Sequence, residues 1–188
     1  MGTWGVHSFD NDSAADFLAE LADAAQPYER AEAVRAAFDA VFADAHDLDA
    51  DLASVAIAGA DVVAAALGQP KAGDEADPYE LKESFRFYED SVGKAVAALR
   101  LSIAENSELF ELWSESDEID DWRASVGDLE ARLLGAAKAH DLNPAFEPPA
   151  PGELSDAAER SELHQISLSI IEEFRSELEN LADRNKGD

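Results

Sequence analysis

Residues 52–67 read LASVAIAGADVVAAAL, and only Asp61 among them carries charge. A surface helix keeps a polar face, so a helix that is apolar nearly all round is a buried one. The stretch is too short and too rich in alanine for a good membrane span, and Asp61 interrupts it. It is read as the central helix of a helical domain. Its alanines and Gly59 carry little side chain, so neighbouring helices can approach closely.

Working back from it, Asp47, Asp49 and Asp51 place negative charge where a helix N-terminus favours it. Residues 28–45 carry Val34, Phe38, Val41, Phe42 and Ala45 at helical spacing, with Pro27 closing the helix before or opening this one. Asp10, Asn11, Asp12 and Ser13 are all good N-cap types for a helix reaching about residue 25, with Phe17, Leu18 and Leu21 on one face. Residues 1–9 have no periodicity and read as an extended arm pinned by Trp4 and Phe9. Phe9 is placed to fold back as a hydrophobic staple.

Working forward, residues 68–77 are a loop by composition. Asp77-Pro78-Tyr79-Glu80 then reads as a helix start: cap, proline at the first position, Glu three after the cap. The predicted helix runs to about 104 along Leu81, Phe85, Tyr88, Val92, Val96, Leu99 and Ile103. A short helix over 108–115 and a longer one over 119–140 follow, separated by the acidic turn SESDEID. Residues 143–152, NPAFEPPAPG, read as a semi-rigid linker. A last helix, about 155–184, carries Leu163, Ile166, Ile170, Phe174, Leu178 and Leu181 along one stripe. That stripe needs a cover: the domain itself, a second copy in a homodimer, or a partner. No segment reads as a strand.

The expected fold is therefore all-α. A compact bundle of about six helices surrounds residues 52–67, and a C-terminal amphipathic helix follows a Pro-rich linker. The divisions fall at 1–140, 141–153 and 154–188. With 188 residues and no cysteine, disulfides and thiol chemistry are excluded and the core needs no staple. The net charge of −28 repels nucleic-acid backbones and anionic membranes, so neither is an expected partner; it fits solubility in a salty or high-GC background, an acidic face for a basic partner, or cation binding. No leader or span is read, and the expected location is the cytoplasm.

Several residues invite a functional reading beside a plainer one. Asp10-Asn11-Asp12 has oxygens for a cation, but three adjacent side chains cannot converge on one ion at a helix start, and capping explains them. His46 with Asp44, Asp47, Asp49 and Asp51 is the best local metal constellation, with a solvated acidic loop as the plain alternative. Asp61 must be paired or neutral if buried; an Arg partner is the simpler role, a general acid or base the sharper one. Trp4, Trp113 and Trp122 suit core packing or the wall of a ligand groove. No phosphate-binding loop, nucleophile elbow or His-Glu-x-x-His motif occurs. No cofactor is called for.

Two patches carry a family resemblance. Met1-Gly2-Thr3-Trp4-Gly5, then Phe9-Asp10-Asn11-Asp12 and Ala15-Asp16, resembles the opening of a bacterial family known only as domain of unknown function 4259. Asn106-Ser107-Glu108-Leu109, Leu112-Trp113, Trp122, and Leu129 to Leu133 with Arg132 are similar to the same family. Together they bracket residues 1 to about 135. Here His7 stands where the family commonly has Gly, and Phe17 where it commonly has Trp. The resemblance implies no activity. The charge and the missing catalytic motifs point to a non-enzymatic protein–protein interaction module, immunity- or inhibitor-like toward a basic partner. The alternative is a metal-binding protein or enzyme using His46 and its Asp neighbours, or Asp61.

Overall fold

The computed structural model describes residues 5–82 and 90–148. Among them are six helices: α1 (Asp12–Asp23), α2 (Pro27–Ala43), α3 (Ala50–Ala66), α4 (Ser91–Ser102), α5 (Glu108–Ser114) and α6 (Ile119–His140). Among the described residues there is no sheet, and the fold is an all-α bundle; one isolated parallel bridge joins Leu48 to Ser107. No helix among the described residues is long and apolar enough to cross a membrane. The predicted C-terminal helix, with Phe85 and Tyr88, lies outside the described residues.

Side chains at the termini set the helix starts. Asn11 Oδ1 accepts from the Ala14 N–H at 2.8 Å and opens α1. Gln26 and Glu29 form a reciprocal capping box around Pro27 at the start of α2. Asp49 accepts from the N–H groups of Asp51 and Leu52 and opens α3. At the far end of α6, Asp141 takes a left-handed φ of 54° and closes the helix. Since the cap is Asn11, Phe9 sits two residues before it, one position further out than the staple residue of that motif.

Fourteen of the seventeen residues of α3 are buried, and α3 packs against each of the other five helices. Close approach depends on its small residues. A Cβ at Gly59 would lie 3.3 Å from the Phe38 ring and 3.7 Å from Val34, so α2 rests directly on the α3 backbone there.

The predicted helix over 78–104 starts later than its signal. Glu80 has φ 57°, outside the right-handed helical region, so 78–80 form a turn. The Asp77 carboxylate instead accepts from the N–H groups of Leu81 and Lys82, at 2.9 and 3.0 Å, beyond that turn. Pro78 fits this turn as well as it fits a first helical position.

Residues 143–148 have no regular structure but lie against the bundle. The Phe146 ring stacks on Phe42 with centroids 5.3 Å apart. Lys94 Nζ, held by Asp39 at 2.9 Å, sits 5.4 Å from the same ring. A Cβ at Gly93 would come within 3.0 Å of Phe146 Cβ, so this glycine admits the segment onto α4.

Candidate functional site

Asp61, alone in its apolar helix, is buried and has both oxygens engaged. Oδ1 lies 2.6 Å from Arg132 Nη1, and Oδ2 accepts from Ser8 Oγ at 2.7 Å. Arg132 is held on two more sides, by Asp128 at 2.9 Å and the Gln69 carbonyl at 3.2 Å. Burial by itself would lower the Arg132 pKa; the hydrogen bonds and charges of Asp61, then Asp128, outweigh it and raise the value. A guanidinium fixed in its charged form, with a carboxylate against it, is a structural lock joining α3, α6 and the arm. As a general acid or base, Asp61 would need an oxygen open to a substrate, and both are occupied.

The arm of residues 5–11 is folded over this lock. The His7 N–H donates to Asp10 Oδ2 at 3.2 Å, and the Asp10 N–H donates to the His7 carbonyl at 3.1 Å. Any side chain at Gly5 would collide with the Asp10 carboxylate. His7 Nδ1 reaches Ser125 Oγ on α6 at 3.3 Å. Of the predicted Asp10-Asn11-Asp12 run, then, Asp10 braces the arm, Asn11 caps α1, and Asp12 is the exposed first residue of that helix.

Between the arm and the bundle is a cleft lined by His7, Ser8, Asn11, Ser54, Trp113 and Trp122 among others. Its free volume is about 20 Å³, room for about one water molecule. The structure thus brings Asn11, Trp113 and Trp122 together, and connects Asp61 to them through Ser8. Phe9 is half-buried nearby in sequence, while Trp4 lies outside the described residues. His7, Ser8 and Ser125 carried no sequence signal; each gains its contact from a residue more than fifty positions away.

His46, Asp47 and Asp49 lie elsewhere, in the exposed turn before α3. Asp49 is committed to capping, and Asp51 accepts from Ser13 Oγ. Among the described residues, no group of three or more His, Asp or Glu side chains is placed to hold a metal ion. The turn is clasped from below α5. Asn106 Nδ2 donates to the Ala45 carbonyl at 3.1 Å, the Glu108 N–H to the Leu48 carbonyl at 3.0 Å, and Glu108 Oε2 accepts from the Ala50 N–H at 3.0 Å. The Asn106-Ser107-Glu108-Leu109 motif is therefore a brace on the start of the central helix, with Leu109 buried in the core.

Trp113 and Trp122 stack at 5.6 Å and 13°, and Phe110 meets Trp122 at 6.5 Å and 60°. Trp122 is buried, while Phe110 and Trp113 are half-buried. The rings form one aromatic cluster where α5 turns into α6.

A family model described as "Domain of unknown function (DUF4259)" matches residues 2–125, about two thirds of the chain. The chain belongs to the DUF4259 family. No curated protein and no solved structure matches it. The DUF4259 match takes in the arm, the cleft, the clasp around Glu108, the aromatic cluster and Ser125. Within the lock, Ser8 and Asp61 fall inside the match and Arg132 beyond it.

Proposed function

We propose that this chain is a cytoplasmic, non-enzymatic protein-interaction module that binds a basic protein partner, in the manner of an immunity or inhibitor protein. The observation that carries the reading is how its cations are used. Arg35 and Lys94 lie on Asp39, Arg100 on Glu130, Arg123 on Asp120 and Arg132 on Asp61 and Asp128. Arg30 donates to the Leu21 and Ala24 carbonyls at the end of α1 and to the Tyr79 carbonyl in the 78–80 turn. Among the described residues these six cations are engaged within the chain, and the chain as a whole carries a net charge of −28. Such a field accelerates encounter with a basic protein and disfavours acidic ones.

Immobilised full-length protein, exposed to host-cell lysate at low salt, tests this reading. One predominant basic protein should be retained and released steeply as salt is raised. Retention that ignores salt, or of proteins without regard to charge, overturns it.

A further inference from the structure

The corner between α5 and α6 is unlike the rest of the acidic surface. Leu112 is 50% exposed, one of three exposed large hydrophobic side chains among the described residues, with Tyr28 and Leu134. Trp113 is its neighbour in the helix and shares a face with Phe110, three positions before it; both rings are half-buried over the Trp122 cluster. Around them Glu115, Asp117, Glu118 and Asp121 are exposed, and the Asp120 side chain is 95% exposed. Exposed apolar and aromatic surface gains free energy when a partner covers it. The surrounding carboxylates select a cationic cover over an acidic one.

The chain itself displays the chemistry this corner accepts. The Arg123 guanidinium lies 5.5 Å from the Phe110 ring centre and 3.9 Å from the Asp120 carboxylate. A guanidinium beside an aromatic ring and a carboxylate thus already occurs at this corner. Tryptophan is a stronger partner for a cation than phenylalanine, and Trp113, stacked on Trp122, is half-buried and keeps some exposed surface. A guanidinium is flat and weakly hydrated and stacks on such a ring, whereas an ammonium is a compact, strongly hydrated charge.

We propose that this corner is the docking surface for the basic partner, and that an arginine-bearing segment of the partner covers Leu112 and stacks on Trp113. The proposal rests on the basic-partner reading above. It predicts discrimination between arginine and lysine at equal charge, which a diffuse acidic surface does not supply.

The test titrates the full chain, carrying Trp4→Phe to simplify emission, with oligo-arginine and oligo-lysine peptides of equal length at low salt. The arginine peptide should bind about two- to fivefold tighter, the size of an exposed cation–π contact. It should also change the tryptophan emission, and Trp113→Phe should reduce that change. Leu112→Ser and Glu118→Gln/Asp121→Asn should weaken binding and erase the arginine preference, with melting curves showing that the fold is kept. Asp74→Asn/Glu75→Gln is the control. That loop follows the C-terminal end of α3, whereas α5 is tied to the N-terminal end, about 25 Å away along the helix. The control should weaken both peptides alike. Equal affinity for the two peptides, or corner variants no weaker than the control, overturns the docking surface and leaves the basic-partner reading standing. Failure of both peptides to bind sinks the two together.

Discussion

Asp61 on α3 and Arg132 on α6 meet at 2.6 Å across 71 positions of sequence, with side chains 4% and 12% exposed. Breaking a buried pair on one side strands the other charge, whereas replacing both with apolar groups does not. Arg132→Leu should therefore lower stability by about 3–5 kcal/mol in urea unfolding. Asp61→Leu/Arg132→Leu should recover most of that loss. A double variant as unstable as the single one would show that packing of the arginine stem, not the pairing, is what matters.

Two glycines separate tight packing from open surface. Gly59→Ala places a methyl 3.3 Å from Phe38, itself 1% exposed and unable to yield freely. Overpacking of this kind costs about 1–3 kcal/mol and outweighs the helix-propensity gain of roughly 1 kcal/mol. Gly127→Ala meets nothing within 4 Å and should stabilise by up to about 1 kcal/mol. Thermal melts of the two variants should shift in opposite directions; a rise for both would mean that α2 can slide away from Gly59.

Phe146 anchors the segment after α6 through Phe42 and Lys94. Its ring is half-buried, so Phe146→Ala should cost about 1–3 kcal/mol, below the range for a fully buried phenylalanine. Amide exchange in residues 143–148 should rise in parallel. A variant of unchanged stability would mean that the segment rests on α4 without holding it.

Ending the chain at Pro148 keeps every contact described from the arm to Phe146, and residues 1–148 form one compact unit. The truncated chain should melt with undiminished cooperativity. If the apolar stripe from Leu163 to Leu181 pairs with a second copy, the full chain sediments as a dimer and the truncated chain as a monomer. Equal oligomeric states before and after truncation would rule that pairing out.

The helices and their order were legible because their determinants are local. The near-absence of charge over 52–67 marked the core helix, and caps such as Asn11 and Asp49 act within three residues. The start signal Asp77-Pro78-Tyr79-Glu80, which misled, is also a turn signal. Which outcome wins depended on where the Asp77 carboxylate found its N–H donors. Glu108 reaches further: from the first position of α5 it accepts the Ala50 N–H at the start of α3, 58 positions away.

What the sequence determined by itself is the helical class, the buried helix and the excess of negative charge. Tertiary structure alone decided that Ser8 and Arg132 share Asp61, that the Asn106–Glu108 stretch clasps the turn before α3, and that Trp113 stacks on the buried Trp122 where α5 meets α6. The physical reason is range. Helix periodicity and capping are set by residues within one turn of each other, while these pairings exist only once α3 has gathered the other helices around it.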